Sequence, residues 1–308
     1  MYFSICVPVY NRKDTILRTL DSIKQQKFSS YEVIIVDDGS TDGSADVVSE
    51  FIANDISNKF QLYKKKNGGK HSALNVGIEK AKGEFFIILD SDDWLTDNAL
   101  EELYPICNEI KDNDEFCGVM GRSQNYETGE MIGDMFDLKN PVSSYFEYHF
   151  VLPQKMYVKD CFEAVKTTNL KAYRFPEKDG MKFVPEAWLF DQLGVSYKLL
   201  LTNTIFKEIQ YLENGMTMNP NFKRENVAGF LYHYISRIEN VIYKKKMPLF
   251  LKMKLLILAW WRYWQCVEID TNITGPRIQK VTLFGKMVKV CSPVIDYVFV
   301  KIYPNYAK

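Results

Sequence analysis

Residues Glu84–Leu95 read EFFIILDSDDWL. The apolar run Phe85-Phe86-Ile87-Ile88-Leu89 stops at four polar residues, Asp90-Ser91-Asp92-Asp93. A short run rich in aromatic and β-branched residues reads as a buried strand. A strand buried on both faces suits a mostly parallel sheet, whose ligands bind beyond the carboxyl ends of the strands. Three carboxylates therefore stand where a ligand is expected, and carboxylate oxygens suit Mg²⁺ or Mn²⁺. The plainer reading is a polar turn with an aspartate capping the next helix. It serves for Asp93 or Asp97. It serves poorly for Asp90 with Asp92, because close carboxylates repel unless a cation or solvent relieves them.

Working outward, Tyr2–Val9, Tyr31–Val36 and Phe60–Tyr63 are three further short apolar runs. The first two are followed by residues at helical spacing. Ile16, Leu17, Leu20 and Ile23 come first, with Asn11 or Asp14 available as a cap; Val47, Val48, Phe51 and Ile52 come second. A basic, glycine-containing loop, 64–70, leads into a helix ending near Lys82, and Leu100, Leu103, Ile106 and Ile110 mark the helix after the opening strand. Four strand–helix repeats predict an α/β fold with a mostly parallel sheet flanked by helices. Glu115–Gly121 reads as a fifth strand and Arg122–Asn140 as loop. Tyr145–Ala164 carries no clear period. A helix is expected within Phe183–Val195, with Pro185 and Glu186 in its first turn. Tyr197–Leu201 and Ile205–Gln210 read as separate strand segments.

From about Asn221 the character changes, so the expected division is 1–220 and a C-terminal helical extension, 221–308. Met247–Cys266 is very apolar, but Pro248, Lys252, Lys254 and Arg262 argue against a membrane span. Leu249, Phe250, Met253, Leu256, Ile257, Trp260, Trp261 and Trp264 predict one broad helical face. It either packs on the core or lies in a membrane interface, as its tryptophans and neighbouring lysines would favour.

Lys+Arg and Asp+Glu number 39 each, so the formal charge is zero and a nucleic-acid partner is not suggested. Six scattered cysteines without a CxxC pair read as thiols in a reducing compartment. The N-terminal residues lack a basic stretch before a long apolar core, so no signal peptide is expected and the chain is read as cytoplasmic or at the cytosolic face of a membrane.

Most chemistry-bearing residues sit at strand ends: Pro8–Asn11, Asp37-Asp38, Lys70-His71 and Asp90 with Asp92. A parallel sheet brings them to one edge. The dinucleotide fingerprint GxGxxG is absent after the first strand. Gly69-Lys70-His71 fails as a phosphate loop, since Lys64 replaces its first glycine and His71 its Ser/Thr.

The strings VPVYNR (Val7–Arg12), VDDGSTDGS (Val36–Ser44) and NGGKHSALNVGIEKAKGEFFIILDSDD (Asn67–Asp93) resemble the inverting, family-2 nucleotide-sugar glycosyltransferases of GT-A fold. The resemblance covers the first third of the chain closely. It implies that Pro8 and Tyr10 line the base pocket, that Asp38 accepts the uracil imide proton, and that Asp37 braces the loop. Lys70 and His71 would contact the donor. Asp90-Ser91-Asp92 matches the DxD motif, with Asp92 on Mn²⁺ or Mg²⁺ and Asp90 on the ribose or on the metal through water. The implied reaction moves one hexose or N-acetylhexosamine from a UDP-sugar to a glycan acceptor. A lipid-linked acceptor in bacterial surface polysaccharide synthesis, with peripheral contact at the inner membrane, would suit the basic and aromatic C-terminal part.

An inverting transfer needs a general base for the acceptor hydroxyl. The family carries it in an acidic pair, for which Glu186 is the nearest counterpart here, although Ala187 breaks the pair. Asp191 is the alternative and Asp179 a weaker one. Leu212–Thr217, with Tyr211, is a candidate acceptor or diphosphate loop. The QxxRW motif of processive synthases is absent, which favours single-sugar transfer. The competing classes are a sugar-phosphate nucleotidyltransferase, which would want a glycine-rich loop near the first strand, and a non-catalytic glycan- or membrane-binding module, against which intact Asp38, Asp90 and Asp92 weigh.

Overall fold

The computed structural model describes residues 1–151, 160–211, 219, 221–272 and 274–302, with side chains to 297. All of Leu212–Thr217, and the middle of Tyr145–Ala164, lie outside the described residues. The chain forms two compact units: Met1–Phe183 with Leu189–Met218, and Val184–Trp188 with Asn219–Lys308.

The first unit is built on a nine-stranded sheet. Strands β1 (Phe3–Val9), β2 (Tyr31–Asp37), β3 (Phe60–Lys64) and β4 (Phe85–Ile88) pair in parallel in the order β3-β2-β1-β4. All seven residues of β1 and of β2 are buried, as a parallel strand covered on both faces requires. The connecting helices are α1 (Ile16–Lys24), α2 (Ser44–Ala53) and α3 (Lys70–Lys80). Helix α1 buries Ile16, Leu20 and Ile23 in the core formed with Ile5, Val7, Val33 and Ile35. After β3 the chain returns to the other side of β1, so strand order reverses between β1 and β4. Ligands of open α/β sheets bind in the crevice at such a point.

The sheet then turns mixed. The two-residue β5 (Trp94–Leu95) and helix α4 (Ala99–Ile110) lead to β6 (Phe116–Asn125). After them come β7 (Val142–Ser143), α5 (Tyr145–Phe150), β8 (Phe162–Lys166), α6 (Thr167–Lys171), α7 (Ala187–Ser196) and β9 (Lys198–Ile209). Strand β8 runs antiparallel between β4 and β6, and β9 pairs parallel with β6 and antiparallel with β5.

Several local expectations are corrected. Arg122 does not open a loop: β6 continues through it to Asn125, and Arg122 is fully buried. Its guanidinium donates to the Ile132 carbonyl at 2.9 Å and lies 4.8 Å from the centre of the Phe136 ring, so the charge is accommodated inside. The two segments expected around 197–210 are one strand, β9. Register shifts opposite Met120–Ser123 absorb the polar Thr202-Asn203-Thr204, and the Asn203 side chain is held by the Phe136 backbone. Helix α7 starts at Ala187, because the Pro185 carbonyl accepts from Trp188 N and Glu186 falls before the first turn. Neither Asn11 nor Asp14 caps α1, whose N-cap is Thr15.

The second unit is helical: α8 (Phe222–Glu225), α9 (Val227–Ser236), a π-helical stretch Arg237–Ile242, α10 (Leu249–Ile269) and α11 (Leu283–Ile302). The broad α10 face divides in two. Trp260 and Trp261 are 1% exposed and Trp264 is buried with its Nε1 donating to the Gly285 carbonyl, while Leu249 and Phe250 stand in solvent. The tryptophans therefore pack inside and are not free to sit in a membrane interface. Among the described residues no helix is long and apolar enough to cross a membrane.

Candidate functional site

The carboxyl ends of β1, β2 and β4 open on a cavity of about 520 Å³ lined by Pro8, Tyr10, Asp38, Lys70, Asp90, Ser91, Asp92 and others. Its size is that of a small-molecule site. The cavity wall is stitched from loops distant in sequence. Ser44 Oγ accepts from Arg12 N at 2.8 Å, Asp42 accepts from Lys13 N at 3.0 Å, and Asn11 Oδ1 accepts from Thr41 N at 2.9 Å. Asn11 takes a left-handed φ of 52°, a conformation its short polar side chain tolerates, and this leaves Tyr10 47% exposed on the cavity wall.

Asp38 braces the basic loop. Its Oδ1 accepts from Lys65 Nζ at 2.7 Å and Gly68 N at 2.9 Å, and its Oδ2 from Gly69 N at 2.6 Å. A carboxylate has about four acceptor sites, so Oδ2 keeps capacity for one more donor. Asp37 accepts more weakly, from Ser40 N at 3.3 Å. Gly69 is required: its φ is +90°, and a Cβ there would lie 1.8 Å from the Lys182 carbonyl.

The Asp90–Asp93 turn is gripped by one face of α1 and its cap. Thr15 Oγ1 donates to Ser91 O at 2.8 Å, Arg18 Nη2 reaches Asp92 O at 3.4 Å, and Thr19 Oγ1 donates to Asp93 O at 2.7 Å. These are positions i, i+3 and i+4, neighbours on one helix face. Arg18 also lies over the Trp94 ring, 3.5 Å from its centre.

Three cations face the three aspartates. Lys70 pairs with Asp90, Arg12 Nε lies 3.4 Å from Asp92 Oδ2, and Lys207 Nζ lies 3.1 Å from Asp93 Oδ2. Burial works to raise the Asp90 carboxyl, but Lys70, Lys207 and Arg12 more than offset it and hold it below the ordinary value. Asp92 is raised, by burial and by the neighbouring Asp90 charge. Burial pushes Asp93 up to about 6 against the pull of Lys207. Asp93 is thus no exposed turn or capping residue: it is 5% exposed and lines the cavity. Lys207 also lines it, as do Asp160 and Tyr211, whose hydroxyl donates to Asp160 at 2.6 Å. Sequence reading missed Lys207 and Asp160, whereas Tyr211 stood at the edge of the candidate acceptor or diphosphate loop. Lys207 sits in an apolar strand, and only the antiparallel register Leu95↔Lys207 brings it to the site.

His71 and Asp191 lie elsewhere. His71 is 1% exposed and outside the cavity lining, with neither ring nitrogen hydrogen-bonded; burial lowers it to about 4, so it is neutral. Asp191 is buried, with Oδ1 at 2.6 Å from His149 Nδ1. Glu186 is half-buried in the segment Val184–Trp188, which belongs to the second unit. Asp191 is not among the cavity-lining residues.

Asp90 and Asp92 fit a divalent cation. Both are carboxylates on an open wall: Asp90 is held ionised by Lys70, Lys207 and Arg12, and the raised proton affinity of Asp92 is what a cation would relieve. Among the described residues no group of three or more His, Cys, Asp or Glu is placed to hold a metal. Two protein carboxylates are nonetheless the usual complement for Mg²⁺, which takes its remaining ligands from substrate phosphates and water.

The sequence family described as Glycosyl transferase family 2 matches residues 4–170, more than half of the chain. The chain belongs to glycosyl transferase family 2. This family member is 28% identical to an uncharacterized glycosyltransferase of Haemophilus influenzae over 79% of its own length and 97% of that protein. It is 38% identical to the glycosyltransferase GlyG of Streptococcus pneumoniae over 41% of its length and 40% of that protein. The match spans less than half the length of the first curated relatives. Among solved structures, S. aureus TarS 1-349 in complex with UDP-GlcNAc superposes with a TM-score of 0.63 at 19% identity, covering 86% of this chain and 73% of that one. The mannosyltransferase PcManGT of Pyrobaculum calidifontis, in complex with GDP-Man and Mn²⁺, gives 0.56 at 17%, covering 99% and 82%. These likenesses confirm the GT-A fold expected from the motifs, an α/β sheet flanked by helices with C-terminal helices added.

Proposed function

We propose that this family 2 protein is a metal-dependent, inverting transferase of a single hexose or N-acetylhexosamine from a UDP-sugar to a glycan acceptor, lipid-linked, in surface polysaccharide synthesis. The observation that carries the donor reading is that Pro8, Tyr10, Asp38, Lys70, Asp90, Ser91 and Asp92 share one cavity wall. The UDP-GlcNAc and GDP-Man–Mn²⁺ complexes of the two fold relatives support a nucleotide-sugar donor.

The chain's residues suit that donor. The exposed Tyr10 ring offers a face for the base, and Asp38 retains an acceptor site for an imide N–H. Lys70 and Arg12 are paired with Asp90 and Asp92, so an arriving diphosphate can draw on both cations while a divalent ion replaces them at the carboxylates. Asp92 and Asp90 would hold Mn²⁺ or Mg²⁺, which stabilises the charge gathering on the leaving diphosphate. Lys207 keeps Asp93 compensated behind them. For the acceptor base, Glu186 and Asp191 are the two carboxylates to be separated by experiment.

The test is UDP release from a panel of nucleotide sugars with Mn²⁺ and with chelator, together with calorimetric UDP binding. Turnover of a UDP-sugar that chelator abolishes is expected; no binding of UDP and no turnover with any donor refutes the reading. Glu186→Gln and Asp191→Asn, assayed with a soluble acceptor, identify the base by which of the two loses transfer while keeping UDP binding.

A further inference from the structure

Helix α11 carries a solvent-exposed apolar row. Leu283, Met287, Val290 and Val294 are 76%, 59%, 80% and 65% exposed, and Tyr297 extends the row at 61%. At about 100° per residue these positions fall within an arc of about 80° on the helix surface. The buried Gly285, Val288 and Ser292 lie on the opposite face, where Gly285 meets Trp260 and Trp264 of α10. One side of α11 therefore packs, and the other presents large apolar groups to solvent in a continuous line. The start of α10 does the same on a smaller scale with Leu249 and Phe250. Soluble surfaces rarely expose such rows without a partner.

The charge around the row is one-sided. Residues 244–297 hold ten Lys and Arg against three Asp and Glu, a net +7 within a chain of formal charge zero. Lys244, Lys246, Lys254, Lys280 and Lys286 are all exposed. We propose that the helical unit docks on an anionic lipid surface, with the α11 row sunk among the headgroups and the surrounding lysines on lipid phosphates. A helix with an apolar face flanked by lysines lies in the interface plane, and each juxtaposed basic residue adds electrostatic attraction. The row takes the place of the α10 tryptophans, which are occupied inside the unit.

A second copy of the chain is the competing occupant. The row repeats at alternating four and three residues, the spacing of a coiled-coil seam. It spans two heptads, where a sustained coiled coil takes about three or four. Pairing two such faces also brings net +7 against net +7, a repulsion that an anionic lipid surface converts to attraction.

The inference goes beyond the proposed sugar transfer and does not depend on it. The full chain is sedimented with vesicles of phosphatidylcholine, with and without phosphatidylglycerol, over a salt series. It binds the phosphatidylglycerol vesicles alone, and binding weakens as salt rises. Met287→Glu with Val290→Glu lowers the vesicle partition coefficient by at least about tenfold, and Lys280→Glu with Lys286→Glu lowers it and flattens its salt dependence. Absence of wild-type binding, or binding by both double variants equal to that of the wild type, overturns the proposal. So does a wild-type dimer in light scattering that Met287→Glu with Val290→Glu converts to monomer. UDP binding measured on the same samples reports folding of each variant. Loss of UDP binding by the wild type strikes the donor reading and leaves the lipid result standing.

Discussion

Around residues 90–93 charged groups are drawn inside, whereas along α11 large apolar groups are turned outside. In the first region each aspartate has a cation opposite it: Lys70, Arg12 and Lys207. In the second, Leu283, Met287, Val290 and Val294 have water opposite them. Burying charge costs free energy unless it is paired, and exposing a row of apolar groups forgoes burial. A fold retains either arrangement where something outside the chain completes it. On the two proposals made above, the difference is in what completes it: a polar, multivalent ligand for the first, an extended apolar boundary with negative charge for the second.

The two regions should respond oppositely to substitution. Lys207→Met strips Asp93 of its buried partner and is expected to lower folding stability by about 3–5 kcal/mol, read from urea midpoints. Adding Asp93→Asn restores much of that loss if the pair, and not the methionine, is responsible; no recovery would show that Lys207 acts through packing. Next, Asp92→Ala is expected to lower Mn²⁺-dependent UDP-sugar turnover by about 10²–10³-fold with the fold intact. Unchanged turnover would remove Asp92 from the metal site.

His71 offers a pH test. Its folded value of about 4 lies below its ordinary 6.5, so the unfolded chain binds more protons between those two pH values. Stability from this group is complete above pH 6.5 and is lost as pH falls toward 4, by up to about 3 kcal/mol. His71→Leu should flatten that slope in urea titrations at a series of pH values; an unaltered slope assigns it to other groups. The smallest effect is expected on α11. Val290→Ser should change stability by less than about 0.5 kcal/mol, since the side chain is already in water. A large loss would mean that the row is covered in solution.

The site was partly legible because strand ends announce themselves. An apolar run that stops at Asp90-Ser91-Asp92 states both the strand and where its ligand edge begins. The Pro8–Asn11 and Asp37-Asp38 ends could be joined to it because parallel strands share one direction. Asp93 was misread, since a polar turn looks the same in sequence whether its last carboxylate faces solvent or a lysine more than a hundred residues away. Arg122 was misread for a related reason: a charged residue ends an apolar run unless the fold provides a carbonyl and an aromatic ring for it, as Ile132 and Phe136 do. Along α10 the helical period was visible, but a period shows only that a face exists. It does not name the neighbour, and the tryptophans proved to face α11.

What the sequence by itself determined is local and directional: four strand–helix repeats, the residues standing at their carboxyl ends, and family motifs in the right order. Short-range propensity and periodicity suffice for these, because each depends on neighbours a few residues apart. Only the tertiary structure decided which charges compensate one another and which apolar face is left uncovered. Lys207 meets Asp93 through the β5–β9 register, and α11 turns one face to Trp260 and the other to solvent. Electrostatic pairing and burial depend on distance through space, and that distance is set once distant segments pack.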